Sequence, residues 1–214
     1  MSTSSVTPRT VHLAVYDTLA DWETGHAVAH INNPEYQIRP GAYRVRTVGA
    51  STEPIRTAGG IRIVPDVSLA DLDPSDSAML ILPGASAYLD GGLTEFIETA
   101  RRFLDAGVPV AGICGATVAM AQAGLLDDRQ HTSNAAEALS PTGYAGADHY
   151  VDAPAVTDRS REGHLITAAA MHPVPFAREI FAELELYTPQ TLAAWVKLFS
   201  GDPAGYHDLM AATA

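Results

Sequence analysis

Two runs of uniformly apolar residues constrain the fold of this chain more than any other feature. They are SAMLILPG at residues 77–84 and VPVAGI at residues 108–113. Between them, LTEFIETARRFLDAG (93–107) has the spacing of an amphipathic helix that ends at Gly107. Strands without a polar face belong in a parallel sheet that helices cover on both sides. We therefore predict an α/β fold, a flavodoxin-like, doubly wound, mostly parallel sheet sandwiched by helices.

The remaining segments alternate in the same way. Strand-like patterns occur at 11–16, 43–50 and 163–170, and helical patterns at 20–33, 174–186 and 189–201. Asp21 is a candidate N-cap for the first of these helices. Residues 54–66 indicate a β-hairpin that turns at Gly59-Gly60.

Length and charge bound the class of protein. The 214 residues suit one domain, placed at 11–201 between a disordered lead at 1–10 and a C-terminal tail at 202–214. There are 13 Lys and Arg against 25 Asp and Glu and no basic run, so we expect neither a nucleic acid nor a membrane partner. The apolar runs are too short to span a bilayer, and the N-terminus has no signal-peptide core. The single cysteine cannot form an internal disulfide, and the expected compartment is the cytoplasm.

That cysteine, Cys114, stands in the stretch AGICGATVAM between an apolar strand and a small-residue helix. The small residues Gly112 and Ala116 suit a nucleophile elbow, in which a strained turn presents a reactive side chain. The helix N-terminus would favour the thiolate and depress the thiol pKa. The alternative is a buried core cysteine, since free cysteine is among the most buried residue types.

Two further corners could complete such a site, because ligands of these sheets bind at the carboxyl ends of strands. In LILPGASAYLD, the main-chain amide of Ala85 could join that of Gly115 in an oxyanion hole, although a plain turn explains the pattern nearly as well. In LADWETG, Asp21 and Glu23 offer carboxylates that could exchange a proton with a thiol. Both acids are also common at helix starts, and this alternative is the stronger one from the residues alone.

The motifs ADWET, LILPGAS, VPVAGICGAT, RQHTSNA, HYVDAPAVTD, LITA and PFAREIF follow one another between about residues 10 and 187. In this order and spacing the chain resembles the PfpI family of the class I glutamine amidotransferase-like superfamily. The resemblance implies that Cys114 is the reactive cysteine and that Glu23 touches its sulfur as a protonated acid. It also places Gly84 and Ala85 on the oxyanion-hole glycines, and it implies a homodimer.

The chain departs from the family pattern in its histidines. Many family peptidases carry a histidine directly after the cysteine, where this chain has Gly115. The histidine of the deglycase branch matches Ser133, with His131 two positions earlier. No His-x-Glu pair of the amidotransferase kind is suitably placed.

Other residues are candidates for the missing base or for a binding role. His172 follows a strand end and precedes a helix, so we expect it to line the pocket without a hydrogen bond to the sulfur. His149 is expected in a loop. The His26 and His30 pair has a metal-binding spacing but lacks further ligands, so we expect no metal and no cofactor. Trp22 could wall the pocket, serve a subunit interface or pack in the core.

Three functions remain open from the sequence. The first is a cysteine-dependent enzyme, a hydrolase of the amidase or peptidase kind or a glyoxalase or deglycase, acting on a small carbonyl or amide substrate. The second is a redox-responsive or stress-related protein in which Cys114 is oxidised. The third is a catalytically silent family member that serves an interaction. A histidine at the sulfur would favour the first of these functions, whereas only Glu23 and main-chain groups there would favour the second.

Overall fold

The computed structural model describes residues 7–212. Nine β-strands run through this part of the chain: β1 Arg9–Ala14, β2 Tyr43–Gly49, β3 Ile55–Arg56, β4 Arg62–Ile63, β5 Val67–Ser68, β6 Ser77–Leu82, β7 Val110–Ile113, β8 Ala155–Asp158 and β9 Leu165–Ala168. Eight α-helices lie between and after them: α1 Gly25–Asn32, α2 Ser86–Leu89, α3 Thr94–Asp105, α4 Gly115–Gln122, α5 Ala136–Leu139, α6 Pro173–Glu183, α7 Pro189–Phe199 and α8 Ala204–Ala212.

Seven of these strands form one sheet in the order β5-β2-β1-β6-β7-β9-β8. All neighbours are parallel except β8, which pairs antiparallel with β9 at the edge. The central strands β6 and β7 are buried along their whole length, as their lack of a polar face requires. Helices α1 and α6 pack together as one helical group and α3 and α4 as another. The predicted α/β fold with a mostly parallel central sheet flanked by helices is confirmed.

The predicted hairpin is present as the pair β3–β4, with Ile55 opposite Ile63 and Gly60 at φ +82° in the turn. The start of α1 differs from the prediction. Residues 21–24 form turns, the helix begins at Gly25 and its N-cap is Thr24. Asp21 is therefore not a helix cap, because its carboxylate is engaged by the hairpin described below.

Both predicted ends of the domain also differ. Strand β1 begins at Arg9 and Thr10 is buried, so these two residues belong to the folded domain, and residues 1–6 of the expected lead lie outside the described part. The expected tail contains α8, which packs against α7 and buries Leu209. A Cβ on Gly205 would lie 2.3 Å from the main-chain nitrogen of Leu198, so glycine permits this close packing. Residues 213–214 lie outside the described part.

Candidate active site

Cys114 lies directly between β7 and α4, at the carboxyl edge of the sheet. Its backbone has φ 57° and ψ −123°, a conformation that residues with a side chain rarely adopt. Its N–H donates to the carbonyl of Ala168 at 3.0 Å, and its carbonyl accepts from Thr117 Oγ1 at 2.6 Å. A Cβ on Gly112 would lie 2.6 Å from Met120 Cε, so the small residue before the elbow lets the helix pack closely on its strand. The main chain thus holds the sulfur at the sheet edge.

Glu23 lies beside that sulfur and is only 1% exposed. Its Oε2 accepts a hydrogen bond from the N–H of Gly84 at 2.5 Å, while its buried Oε1 has no hydrogen-bond partner in the described residues. A Cβ on Gly84 would lie 3.0 Å from both Cys114 Sγ and Glu23 Oε1. The thiol of Cys114 and the carboxyl of Glu23 therefore lie next to each other in the space that a side chain at position 84 would occupy.

The two acids alter each other's pKa. Burial raises the pKa of Glu23 to about 7, although its hydrogen bond with Gly84 and its interaction with Cys114 lower it. Near neutral pH this carboxyl can therefore both give and take a proton. Burial also raises the pKa of the Cys114 thiol, and Glu23 raises it further, against lowering by Asn134 and the N–H of Gly115. This direction is opposite to the depressed pKa expected from the helix N-terminus, because burial and a neighbouring acid outweigh the helix end.

Asn134 also lies at the sulfur, a position that the sequence did not predict. Its Nδ2 lies 3.5 Å from Cys114 Sγ, and its Oδ1 accepts from the N–H of Ala170 at 2.8 Å. Ser133, the preceding residue, points elsewhere and hydrogen-bonds to Thr117 Oγ1 at 2.7 Å. The motif RQHTSN contained the signal, but only the folded chain shows which of its polar residues faces the thiol.

The corners that carry the expected oxyanion amides touch each other. A Cβ on Gly115 would lie 3.0 Å from the carbonyl oxygen of Ala85 and 3.5 Å from its nitrogen. The N–H of Ala85 donates to no acceptor in the described part of the chain. The N–H of Gly115 is directed at the sulfur and lowers the Cys114 pKa. The N–H of Ala20 donates to the carbonyl of Gly84 at 2.9 Å and secures the corner from the other side. The use of these amides for an oxyanion stays a prediction.

Among the described residues, no histidine makes a hydrogen bond with Cys114. His131 is fully buried, with Nδ1 2.8 Å from the carbonyl oxygen of Arg129 and Nε2 3.2 Å from the hydroxyl of Tyr144. Burial lowers its pKa. Both ring nitrogens of His131 are therefore engaged with Arg129 and Tyr144, and neither is bonded to the sulfur.

His172 lines a cleft of about 600 Å³ whose wall it shares with Asn134. It is the N-cap residue of α6 and is half-buried. Asn134 also contacts Cys114, so the cleft lies next to the site, although neither Cys114 nor Glu23 lines it. His172 thus lines this cleft, and in the described residues it makes no hydrogen bond with the sulfur.

Histidines 26 and 30 belong to a packing cluster. Their rings stack on each other with centroids 6.3 Å apart, and both pack edge-on against Trp195 and Phe199. Burial lowers the pKa of each. Residues 7–212 hold no group of His, Cys, Asp or Glu that could bind a metal.

Asp21 and Trp22 secure the loop that carries Glu23. Asp21 Oδ2 accepts from the N–H of Gly59 at 2.7 Å, which joins the loop to the β3–β4 hairpin. Trp22 is 58% exposed and donates from Nε1 to the carbonyl of Ala170 at 3.2 Å. Its core-packing alternative is therefore wrong, and Asp21 faces the hairpin rather than the thiol.

Fold and site together define a flavodoxin-like α/β protein with a cysteine at a strand–helix elbow and a buried acid beside it. The DJ-1/PfpI family profile matches residues 9–183. The chain belongs to the DJ-1/PfpI family. No helix in residues 7–212 is long and apolar enough to cross a bilayer.

Two of the similar proteins described next match nearly the whole chain, and the third matches less than half of it. The Bacillus subtilis (strain 168) protein named "Uncharacterized protease YoaZ" is 35% identical over 89% of this chain and 90% of its own length. A thiJ/pfpI family protein from Bacillus anthracis has a crystal structure with a TM-score of 0.87 and 34% identity, covering 98% of this chain and 99% of that one. A Caenorhabditis elegans protein named "Glutathione-independent glyoxalase DJR-1.2" is 30% identical over 42% of this chain and 48% of its own length.

Proposed function

We propose that this protein is a cysteine-dependent enzyme that converts small α-oxoaldehydes to hydroxy acids. The observation that carries the proposal is the meeting of Cys114 and Glu23 over Gly84, where a Cβ would lie 3.0 Å from both reactive atoms. The glyoxalase name of the similar Caenorhabditis elegans protein supports the same chemistry.

The conversion needs one nucleophile and one group that exchanges protons. The sulfur of Cys114 adds to the aldehyde carbon, and the aldehyde oxygen takes up a proton to give a hemithioacetal. Glu23 then removes the hydrogen of that carbon as a proton and returns one to the neighbouring carbon, which leaves a thioester of a hydroxy acid. Water hydrolyses the thioester, releasing the hydroxy acid and the thiol. No outside oxidant or reductant is required, since one carbon is oxidised as its neighbour is reduced.

Hydrolysis of an amide makes a different demand, because the leaving amine must be protonated as the bond breaks. Histidine suits that task, since its usual pKa lies near neutrality. The described residues offer no histidine hydrogen-bonded to Cys114, and His172 lies in the cleft wall. Addition to an aldehyde expels no group, so Glu23 suffices for it. This difference favours the α-oxoaldehyde over the amide.

The redox function remains the second candidate. The sequence favours it when no histidine lies at the sulfur, as is the case in the described residues, and Glu23, Asn134 and the Gly115 amide would also surround an oxidised Cys114. A sulfinate there would accept a hydrogen bond from a protonated Glu23. The raised pKa of the thiol does not separate the two functions, since oxidation and addition to an aldehyde both proceed through the thiolate.

The deciding experiment follows the conversion of methylglyoxal and phenylglyoxal by the wild type and three variants. Cys114→Ala should abolish turnover, Glu23→Gln should reduce it strongly, and Asp21→Asn should preserve it, because Asp21 faces the hairpin. A wild type that turns over neither compound, yet forms a stable sulfinate under mild peroxide by mass spectrometry, would replace this proposal with the redox function.

A further inference from the structure

We propose that Tyr16 and Tyr88 are positioning residues that hold together the corners at Pro83 and Gly115, from which the main-chain amides of the site arise. Tyr16 follows β1, and its hydroxyl donates a hydrogen bond to the carbonyl of Pro83. Tyr88 in α2 donates from its own hydroxyl to that of Tyr16 at 3.0 Å. The kinetic part of this inference rests on the proposed function.

The hydrogen bond from the Tyr16 hydroxyl affects Gly84 through the main chain of Pro83. Pro83 immediately precedes Gly84, whose N–H is bonded to the Glu23 carboxylate, and Gly84 precedes Ala85. A hydrogen bond at the Pro83 carbonyl restrains the peptide plane that leads into Gly84. The orientation of the Gly84 N–H toward Glu23 therefore depends on Tyr16.

Tyr88 links Tyr16 to the turn between Cys114 and Gly115. A Cβ on Gly115 would lie 3.7 Å from Tyr88 Cβ, so the base of this tyrosine side chain packs against the start of α4. The rings of Tyr16 and Tyr88 meet edge to face, with centroids 5.4 Å apart at 82°. The paired tyrosines thus connect the chain just after β1 and just after β6 with Gly115, the first residue of α4.

Burial makes these hydrogen bonds hard to replace. Tyr16 is 3% exposed and Tyr88 is 2% exposed, so water cannot readily take over a lost bond. Burial also raises the pKa of Tyr16 well above its usual value, so the hydroxyl stays a neutral donor throughout the working pH range. Removing the Tyr16 hydroxyl would leave the Pro83 carbonyl and the Tyr88 hydroxyl without a hydrogen-bond partner among residues 7–212.

The test compares Tyr16→Phe and Tyr88→Phe with the matched control Tyr187→Phe. Tyr187 is also buried and packs its ring against Phe181 at 5.4 Å, but its hydroxyl makes no hydrogen bond in the described residues. All measurements are made well below the melting temperature of each variant, so that stability losses alone do not change them.

The direct readout is the ¹⁵N–¹H signal of Gly84, because its N–H is bonded to Glu23 and follows the ionisation of that carboxyl. In Tyr16→Phe the titration midpoint of this signal should move to higher pH, since the carboxylate loses a well-directed donor. In Tyr88→Phe it should move less in the same direction, and in Tyr187→Phe it should not move. A midpoint in Tyr16→Phe equal to that of the control would overturn the inference, and Tyr88→Phe decides if Tyr16→Phe does not fold.

The kinetic readout is the conversion of phenylglyoxal. Tyr16→Phe should lower kcat about tenfold with little change in KM, since misplaced amides act on the reacting state more than on binding. An unchanged kcat would overturn the kinetic part of the inference, whereas the Gly84 midpoint alone decides the positioning role. If the wild type converts no α-oxoaldehyde, the proposed function fails, while the Gly84 titration still decides the role of the tyrosines.

Discussion

The side-chain amide of Asn134 lies 3.5 Å from the sulfur of Cys114, and its oxygen is already bonded to the N–H of Ala170 at 2.8 Å. Because the oxygen is engaged, the NH₂ group faces the sulfur. A donor in that position stabilises the thiolate over the thiol, and it lowers the Cys114 pKa against the effect of burial.

Asn134→Ala should therefore raise the pH midpoint of Cys114 alkylation by iodoacetamide. At a pH below that midpoint the alkylation rate should fall several-fold, because less thiolate is present. Asn33→Ala is the matched control, since Asn33 caps an exposed turn by accepting from the N–H of Glu35. An unchanged midpoint in Asn134→Ala would show that the amide does not act on the sulfur.

Glu23→Gln should make the Cys114 thiolate easier to form and yet reduce turnover. The thiol midpoint should move to lower pH, because the charge of Glu23 raises the Cys114 pKa. Turnover of phenylglyoxal should nevertheless fall roughly 100-fold or more, since the proton-transferring group is lost. Asp21→Asn should leave both quantities near their wild-type values. Full activity in Glu23→Gln would assign proton transfer to another group.

The same carboxyl should make the protein less stable at alkaline than at acidic pH. Its pKa is about 7 in the folded chain against an ordinary value of 4.5, so the folded state holds the proton more tightly. The stability gained from this proton is fully present below pH 4.5 and is lost as the pH rises through about 7. The loss is about 3 kcal/mol. Urea unfolding should find Glu23→Gln more stable than the wild type at pH 8 and nearly equal to it near pH 4.5, and equal stabilities at both values would contradict the raised pKa.

Gly84→Ala should damage the site, while Gly25→Ala should leave it intact. The new methyl at position 84 would lie 2.7 Å from Cys114 Cβ and 3.0 Å from Glu23 Oε1, so the pair must separate. At Gly25 a Cβ meets nothing within 4 Å, and alanine at the start of α1 should stabilise the helix slightly. We expect turnover of phenylglyoxal to be lost only in Gly84→Ala. Comparable activity in the two variants would mean that the contact of sulfur and carboxyl is not needed.

The cleft beside the sulfur should discriminate against negatively charged substrates. Its described lining includes Glu137 and Asp152 and contains no lysine or arginine. Phenylglyoxal should therefore give a higher kcat/KM than its para-carboxymethyl derivative, and the difference should shrink in high salt. Glu137→Gln with Asp152→Asn should improve the anionic compound up to about fivefold for each charge removed. An anionic compound that is preferred by the wild type would refute this expectation.

The sequence predicted the sheet well because residues 77–84 and 108–113 are apolar on both faces, which only a covered central strand accommodates. The edge strand β8 was not predicted, because its four residues Ala155–Asp158 are too short and too mixed to show a pattern. The start of α1 was misplaced because Asp21 has the residue type of a cap, while its real partner, Gly59, is far away in the chain.

The position of Cys114 at the elbow followed from local sequence, whereas its surroundings did not. The place of Glu23 came only from the family resemblance, because nothing local brings that loop to the end of β7. Asn134 was missed since adjacent side chains in a non-helical stretch point in different directions, and composition cannot say whether it or Ser133 faces the sulfur. The direction of the thiol pKa depends on burial, which only the packed structure provides.

The backbone conformation of Cys114, φ 57° and ψ −123°, has an evolutionary consequence. Glycine adopts it with less strain, whereas any side chain there destabilises the fold by about 1 kcal/mol or more. Once the thiol is unused, glycine at this position is a stabilising substitution that costs no function. A lineage that no longer uses the thiol should therefore exchange this cysteine for glycine. The residue at position 114 of each descendant then indicates whether that protein still needs a reactive thiol.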